Sequence, residues 1–256
     1  MNAVAVSRPG KCEVFGVGVS PVTYDQVEES ILAAAKERRS FTVTHISSHG
    51  LTMAARDAKF RTVINSFDIA APDGQPVRWT LNWFHKAGLS DRCYGPEMMI
   101  RLCRAAAKQG VSIYLYGSSE DVLERLRRNL TQQCPGLVIA GVESPPFRAL
   151  SPQETDEAIA RINASGAGIV FIGLGCPRQD VFACENKNKI KAVVSCVGAA
   201  FDFHAGNKKM APRWMQRRGL EWLYRLTQEP SRLWKRYLAI HTTFAFLLTR
   251  RLILGR

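Results

Sequence analysis

The stretch "GIVFIGLGCPRQD", residues 168–180, is an almost unbroken apolar run that stops at glycines and a proline. A strand with one wet face alternates apolar and polar residues, whereas a run this continuous reads as a strand covered on both faces. The segment after it, "GLGCPRQD" (173–180), reads as a loop. Similar runs recur at "CEVFGVGV" (12–19), "FTVTHIS" (41–47), "FDIAA" (67–71), "VSIYLYG" (111–117), "LVIAGVE" (137–143) and "KAVVSCVG" (191–198). Helical periods lie between them, among them "YDQVEESILAAAKERR", "GPEMMIRLCRAAAKQG" and "EDVLERLRRNLTQQC". This alternation predicts an α/β fold, a parallel-rich sheet wrapped by helices. In such a sheet the loops after the strands gather on one edge, and ligands bind there. Four loops qualify: "PDGQP" (72–76), "YGSSED" (116–121), "GLGCPRQD" and "GAAFDFHAG" (198–206).

At 256 residues and 46% hydrophobic, the chain is long enough for one sizeable α/β domain with an appendage. We expect the catalytic α/β core at 1–206 and a basic helical appendage at 207–256. The net charge is +13, and from Gly206 on there are twelve Lys/Arg against two Glu, so the remainder is nearly neutral. Two helices broken at Glu229-Pro230 are expected in the appendage. In the first, Met215, Gly219, Trp222, Leu223 and Leu226 share an apolar face, with Arg218, Glu221 and Arg225 opposite. Charge alone fits nucleic acid or an anionic membrane. The interleaved Trp214, Trp222, Trp234 and Tyr237, followed by an apolar run, favour the membrane and argue against nucleic acid. That run, Tyr237 to Thr249, has thirteen residues, short of the roughly 20 that span a bilayer, so it is expected to lie on the membrane and not cross it. The N-terminal residues lack a signal-peptide core, and the seven cysteines include no C-x-x-C pair, so free thiols and a cytoplasmic protein are expected.

Asp73 is the first candidate for chemistry. Asp is common in turns for its bonds to nearby N–H groups. Here prolines flank it and a buried strand leads into it, and a rigid carboxylate at a ligand crevice is what a general base needs. Gly117 and Ser118 in the second loop, and Gly173 and Gly175 in the third, would let backbone N–H groups approach an anion, with Pro177, which has no N–H, as a further donor-site candidate in the third loop; Ser119 also reads as an ordinary helix cap. Arg92 precedes a Tyr-Gly-Pro turn and is either a surface arginine or an anion ligand. There is no D-x-D pair, H-E-x-x-H, G-x-S-x-G or C-x-x-C. No metal and no cofactor are therefore expected, and a leaving diphosphate would be met by arginines and N–H groups.

The blocks "PDGQPVRW", "RCYGPEMM", "FIGLGCPRQDVF" and "CVGAAFDFHAGNKKMAPRWMQRRGLEWLYRLTQEPSRLWKRYL" resemble the WecG/TagA/CpsF family of bacterial glycosyltransferases, family 26. The resemblance implies a Rossmann-type core with a C-terminal appendage that closes the site at the membrane. It implies an inverting, metal-independent transfer of a sugar from a UDP-sugar to a polyprenyl-diphosphate-linked sugar at the cytoplasmic membrane face. Carried over by position, Asp73 matches the catalytic base, Arg92 a donor-diphosphate ligand, and Gln179 the glutamine of a G-x-P-[KR]-Q motif near the nucleotide. Arg225, Arg232 and Arg236 match basic positions for the acceptor diphosphate. The chain departs from the usual Thr-x-Asn at the end of the second strand, where the resemblance implicates the Thr in catalysis, and offers His45 and Ser47 there as catalytic candidates, as in polysaccharide-type members of the xanthan-like branch. It also has Gln179-Asp180 for the usual Gln-Glu. These departures leave the donor open between UDP-glucose and UDP-N-acetylmannosamine types. A non-catalytic membrane-associated module is the alternative that retention of Asp73 argues against.

Overall fold

A computed structural model describes residues 9–255. The elements run β1 (Cys12–Val14), β2 (Val17–Val19), α1 (Tyr24–Lys36), β3 (Phe41–Ile46), α2 (Ser48–Arg56), α3 (Ala58–Asn65), β4 (Ile69–Pro72), α4 (Gln75–His85), α5 (Gly95–Gln109), β5 (Ile113–Gly117), α6 (Glu120–Gln133) and β6 (Ile139–Glu143). They continue with α7 (Pro152–Ala164), β7 (Ile169–Gly173), α8 (Arg178–Glu185), β8 (Val193–Cys196), α9 (Ala200–His204), α10 (Arg213–Arg217), α11 (Glu221–Gln228) and α12 (Pro230–Leu254). Six strands form one sheet in the order β4-β3-β8-β7-β5-β6, every neighbour parallel.

The continuous apolar runs have a direct cause. Alternate residues of the central strands feed two different cores. Phe41, Val43, Leu115, Phe171 and Val193 point to one face, where Ile31, Met99, Leu102 and Leu126 of α1, α5 and α6 cover them. Tyr116, Val170, Ile172 and Val194 point to the other, against Ile159 and Ile162 of α7 and Ala183 of α8. Both faces are dry, so apolar residues fill most register positions, and polar ones such as Thr42 and Thr44 come with hydrogen-bond partners, Asp68 and Asp180.

The run "CEVFGVGV" is not a strand of this sheet. It folds as an antiparallel hairpin, because Phe15 (φ 54°) and Gly16 (φ 81°) both take the left-handed region that a tight two-residue turn requires. Val14, Val17 and Val19 then cap a third apolar cluster with Leu51, Phe60, Ile64 and Leu81.

The sheet order also creates the crevice. β5 leads outward to β6 while the neighbouring β7 leads back to β8, so the connections part at the carboxyl ends of β5 and β7. Gly117 and Gly173 pair at that point. Gly117 has φ 120°, and a Cβ on it would lie 2.7 Å from the Gly173 carbonyl carbon; a Cβ on Gly173 would meet the Phe201 ring at 2.5 Å. Only glycine lets the two strand ends and α9 close up this far.

The C-terminal helices fold back along this edge. α12 packs on α2 and α11. Leu233 and Ile240 are buried, Phe244 meets Phe15 edge-on at 5.5 Å, and the Arg251 guanidinium lies 5.5 Å over the Phe84 ring. Trp234, Leu238 and Phe246 stay exposed on the outer side. The thirteen-residue apolar run is too short to span a bilayer, but the helix around it is continuous over 25 residues and is long and apolar enough to cross a membrane by length and composition. The seven cysteines are all free thiols.

Candidate functional site

Asp73 sits immediately after β4. The register of β3 and β4 sets Ile46 beside Pro72, and the Ile46 carbonyl accepts from the N–H groups of both Asp73 (2.9 Å) and Gly74 (3.3 Å). Cys93 N–H donates to the Pro72 carbonyl at 2.7 Å. The loop is thus held by backbone bonds as well as by its prolines. Asp73 Oδ1 accepts from Gly95 N–H at 2.7 Å, in the first turn of α5, and no donor among the described residues reaches the other oxygen. Burial raises the Asp73 pKa to about 6, while the Arg92 charge and the Gly95 N–H pull against it. A carboxylate poised near neutrality has the proton affinity a general base needs.

His45 stands one step back on β3, paired with Ala71. Its Nδ1 lies 3.2 Å from the Cys93 carbonyl. A carbonyl can only accept, so the proton is assigned to Nδ1. Burial lowers the His45 pKa to about 4, so the ring is neutral, and Nε2 is left as a buried acceptor with no partner. Ser47 is the N-cap of α2, its Oγ accepting from Gly50 N–H at 3.3 Å.

These residues line a cavity of about 550 Å³ at the carboxyl edge. The structure brings into it Asp73, His45 and Ser47 from the β3 and β4 ends, Ser118, Gly173, Gly175 and Gln179 from the glycine loops, and Arg225, Arg232 and Arg236 from the appendage. Gly117 and Pro177 lie behind this wall and do not line it. Ser118 holds φ 66°, and its carbonyl accepts from Ser144 at 2.7 Å; Ser119 is the cap of α6. Gln179 is 5% exposed, with Oε1 unpartnered. Next to it, Asp180 accepts from the Thr44 hydroxyl at 2.6 Å, which ties the end of β3 to the "GLGCPRQD" loop; burial raises its pKa to about 6. Arg225 stacks over Phe203 at 5.7 Å, and Arg232 pairs with Glu229.

Arg92 is not a surface arginine. It is 7% exposed, with Nη2 2.6 Å from Glu221 Oε2 and its guanidinium 4.1 Å over the Tyr94 ring. Tyr94 O–H donates to the other Glu221 oxygen at 2.9 Å. Arg92 does not line the first cavity but a second one, of about 440 Å³, between α4 and the appendage. The two cavities meet at Asp73, Ser47, His49, Glu221, Arg225 and Arg236.

The single helix expected over 211–229 is two, α10 and α11, parted at Gly219 (φ 73°), so the side expected to carry Arg218, Glu221 and Arg225 is not one face: Arg218 stays exposed while Glu221 turns to Arg92 and Tyr94. The available signal was its rarity, since Glu221 is one of two acidic residues in a strongly basic segment. Sequence reasoning also passed over Tyr94, within the "RCYGPEMM" block, and Pro145-Pro146-Phe147, which close the first cavity from the end of β6. Their only signal was a Pro-Pro pair after an apolar run.

A comparison with protein families bears on what such a cavity serves. The model described as "Glycosyl transferase WecG/TagA/CpsF family" matches residues 12–256. The chain therefore belongs to that family and is a glycosyltransferase of cell-surface polysaccharide synthesis.

Proposed function

We propose that the chain is an inverting, metal-independent transferase that moves a sugar from a UDP-sugar to a polyprenyl-diphosphate-linked sugar. The family suggests a sugar donor and a lipid-linked acceptor; the nucleotide, the lipid and the roles below are our reading. The observation that carries it is the position of Asp73, which lines both cavities at their junction. In the reaction, the acceptor hydroxyl oxygen bonds to C1 of the donor sugar as the C1–O bond to the diphosphate breaks. The bonding pair leaves on the β-phosphate oxygen of UDP, and the hydroxyl proton passes to Asp73. One displacement across C1 inverts its configuration.

The donor is proposed in the first cavity, with its nucleotide against Ser118, Gly173, Gly175 and Gln179 at the parting of β5 and β7. Gly117 and Pro177 serve by shaping that wall. His45 Nε2 fits a hydroxyl donor on the sugar rather than a proton-transfer role, because the ring stays neutral far below neutrality. Ser47 sits beside it as cap and wall. Arg225, Arg232 and Arg236 are proposed on the acceptor diphosphate, where guanidinium forks suit phosphate oxygens. Arg92 lines only the second cavity, where Glu221 holds its guanidinium, so the donor-diphosphate role that its position implied is not proposed for it. The leaving diphosphate would be met, in place of a divalent cation, by the loop N–H groups and by Arg225 and Arg236, which both cavities share. The outer face of α12 and the +13 charge favour peripheral attachment at the cytoplasmic membrane face, with an anionic lipid surface as partner.

Incubation with UDP-glucose or UDP-N-acetylmannosamine and farnesyl-diphosphate-linked sugars tests this reading. UDP release matched by an inverted glycosidic product, unchanged in EDTA, is expected. UDP release that needs Mg²⁺ or Mn²⁺, a retained configuration, or no transfer to any acceptor contradicts it.

A further inference from the structure

The second cavity has features that the donor site does not use. Trp79 of α4 and Trp222 of α11 form apolar walls, and His241 packs edge-on to Trp222 at 4.5 Å. Gly219 lines it as well, and a Cβ there would come within 2.8 Å of the Trp79 ring, so only glycine leaves that indole in place. Two buried polar atoms on residues of this wall have no partner: Gln75 Oε1 and His241 Nε2. Gln75 is 3% exposed and its amide orientation is fixed, because Nε2 donates to the Gln216 carbonyl and to Asp91 Oδ1, both at 3.3 Å. Oε1 is therefore an acceptor still in want of a donor. His241 is kept neutral by burial, so its Nε2 can accept from a hydroxyl or donate to one.

Buried polar atoms are nearly always paired, and an unpaired set on one wall marks where something else supplies the bonds. Aromatic walls with a few convergent polar atoms are the ordinary make-up of a small-molecule site. The ligand must offer an apolar face to an indole and hydroxyl groups at its edge. It must also tolerate Arg225 and Arg236, which the two cavities share. A pyranose ring linked to a diphosphate has all three properties.

We propose that the second cavity is the subsite for the acceptor sugar. Its ring lies against Trp79 and Trp222, its hydroxyls pair with Gln75 Oε1 and His241 Nε2, and its nucleophilic hydroxyl reaches Asp73 at the junction. The inference rests on the transferase reading above and adds to it which wall holds the acceptor and which residues set acceptor specificity.

The test compares His241→Phe and Trp79→Leu with the unaltered protein. Phe keeps the ring packing on Trp222 and removes only the polar nitrogens. The assay measures KM for a farnesyl-diphosphate-linked sugar, KM for the UDP-sugar, and UDP affinity by calorimetry. The expected result is an acceptor KM raised roughly two- to tenfold in His241→Phe, the weight of one hydrogen bond between neutral groups. In Trp79→Leu it rises on the order of tenfold or more, while UDP affinity and donor KM stay as they were. An unchanged acceptor KM in His241→Phe overturns the proposal, and so does a rise confined to donor KM. If Trp79→Leu loses UDP binding through misfolding, His241→Phe decides alone. Failure of the unaltered protein to transfer to any acceptor sinks the transferase reading and this inference with it, which sets that outcome apart from failure of the subsite alone.

Discussion

Asp73 carries its charge where the surroundings resist it. Burial raises its pKa from the ordinary carboxylate range to about 6, although Arg92 and Gly95 N–H both favour the ionised form. Two consequences follow from the sign of that shift. The ionised base is the minor form below about pH 6, so kcat/KM should climb through that range and then level off. A profile flat from pH 5 to 8 would take the base role from Asp73. Stability runs the other way. A carboxyl whose folded pKa lies above its unfolded value binds its proton more tightly in the fold, so it costs stability as pH rises through that window. Asp73→Asn should therefore raise Tm at pH 7, and the gain should fade toward pH 4; thermal melts at both pH values check this. At this scale the sequence was partly legible. The Pro-Asp-Gly-x-Pro turn after an apolar run marks a rigid carboxylate, but its proton affinity is set by burial, against the pull of Arg92 and Gly95, and local spacing shows none of these.

The elements that complete the site lie far apart in the chain, 129 residues between Arg92 and Glu221. Arg92 precedes α5 and Glu221 opens α11, and they meet in a largely buried pair reinforced by Tyr94. Breaking such a pair leaves a buried charge without compensation and costs about 3–5 kcal/mol, whereas removing both charges costs far less. Arg92→Met should thus destabilise strongly, and Arg92→Met/Glu221→Gln should recover much of the loss; urea melts of the four proteins complete the cycle. Fully additive losses would mean that the pair contributes nothing by its pairing. The strands were legible because two dry faces favour apolar residues at nearly every position. The hairpin at 12–19 was not, because its turn depends on a left-handed Phe15, a conformation that a residue of this type seldom takes. The inward turn of Glu221 was hidden too. The helical period was read across Gly219, whose left-handed φ of 73° ends one helix and lets Glu221 open another in a new direction.

Across the whole molecule, charge and apolar surface are concentrated on the C-terminal helices, beside the cavities. Anionic lipid attracts basic segments by about 1 kcal/mol per Lys or Arg near the surface, and salt screens the attraction. The protein should sediment with phosphatidylserine vesicles at low ionic strength and release partly, not wholly, in 1 M salt, because Trp234, Leu238 and Phe246 remain to insert. Complete release would leave charge as the whole of the attraction. The charge imbalance was plain in the sequence. The meeting of two cavities at one carboxylate was not, since it depends on where α11 and α12 come to rest.

Acceptor-dependent UDP release by the unaltered protein and by Asp73→Asn tests the central claim most directly. The same donor and the same lipid-diphosphate-linked sugar are used, and UDP affinity is measured alongside. An amide cannot take the acceptor proton, and a general base typically contributes about 10²–10⁴-fold. The expected result is a loss of turnover in that range with UDP affinity retained. Turnover by Asp73→Asn near that of the unaltered protein would contradict the assignment of Asp73 as the base.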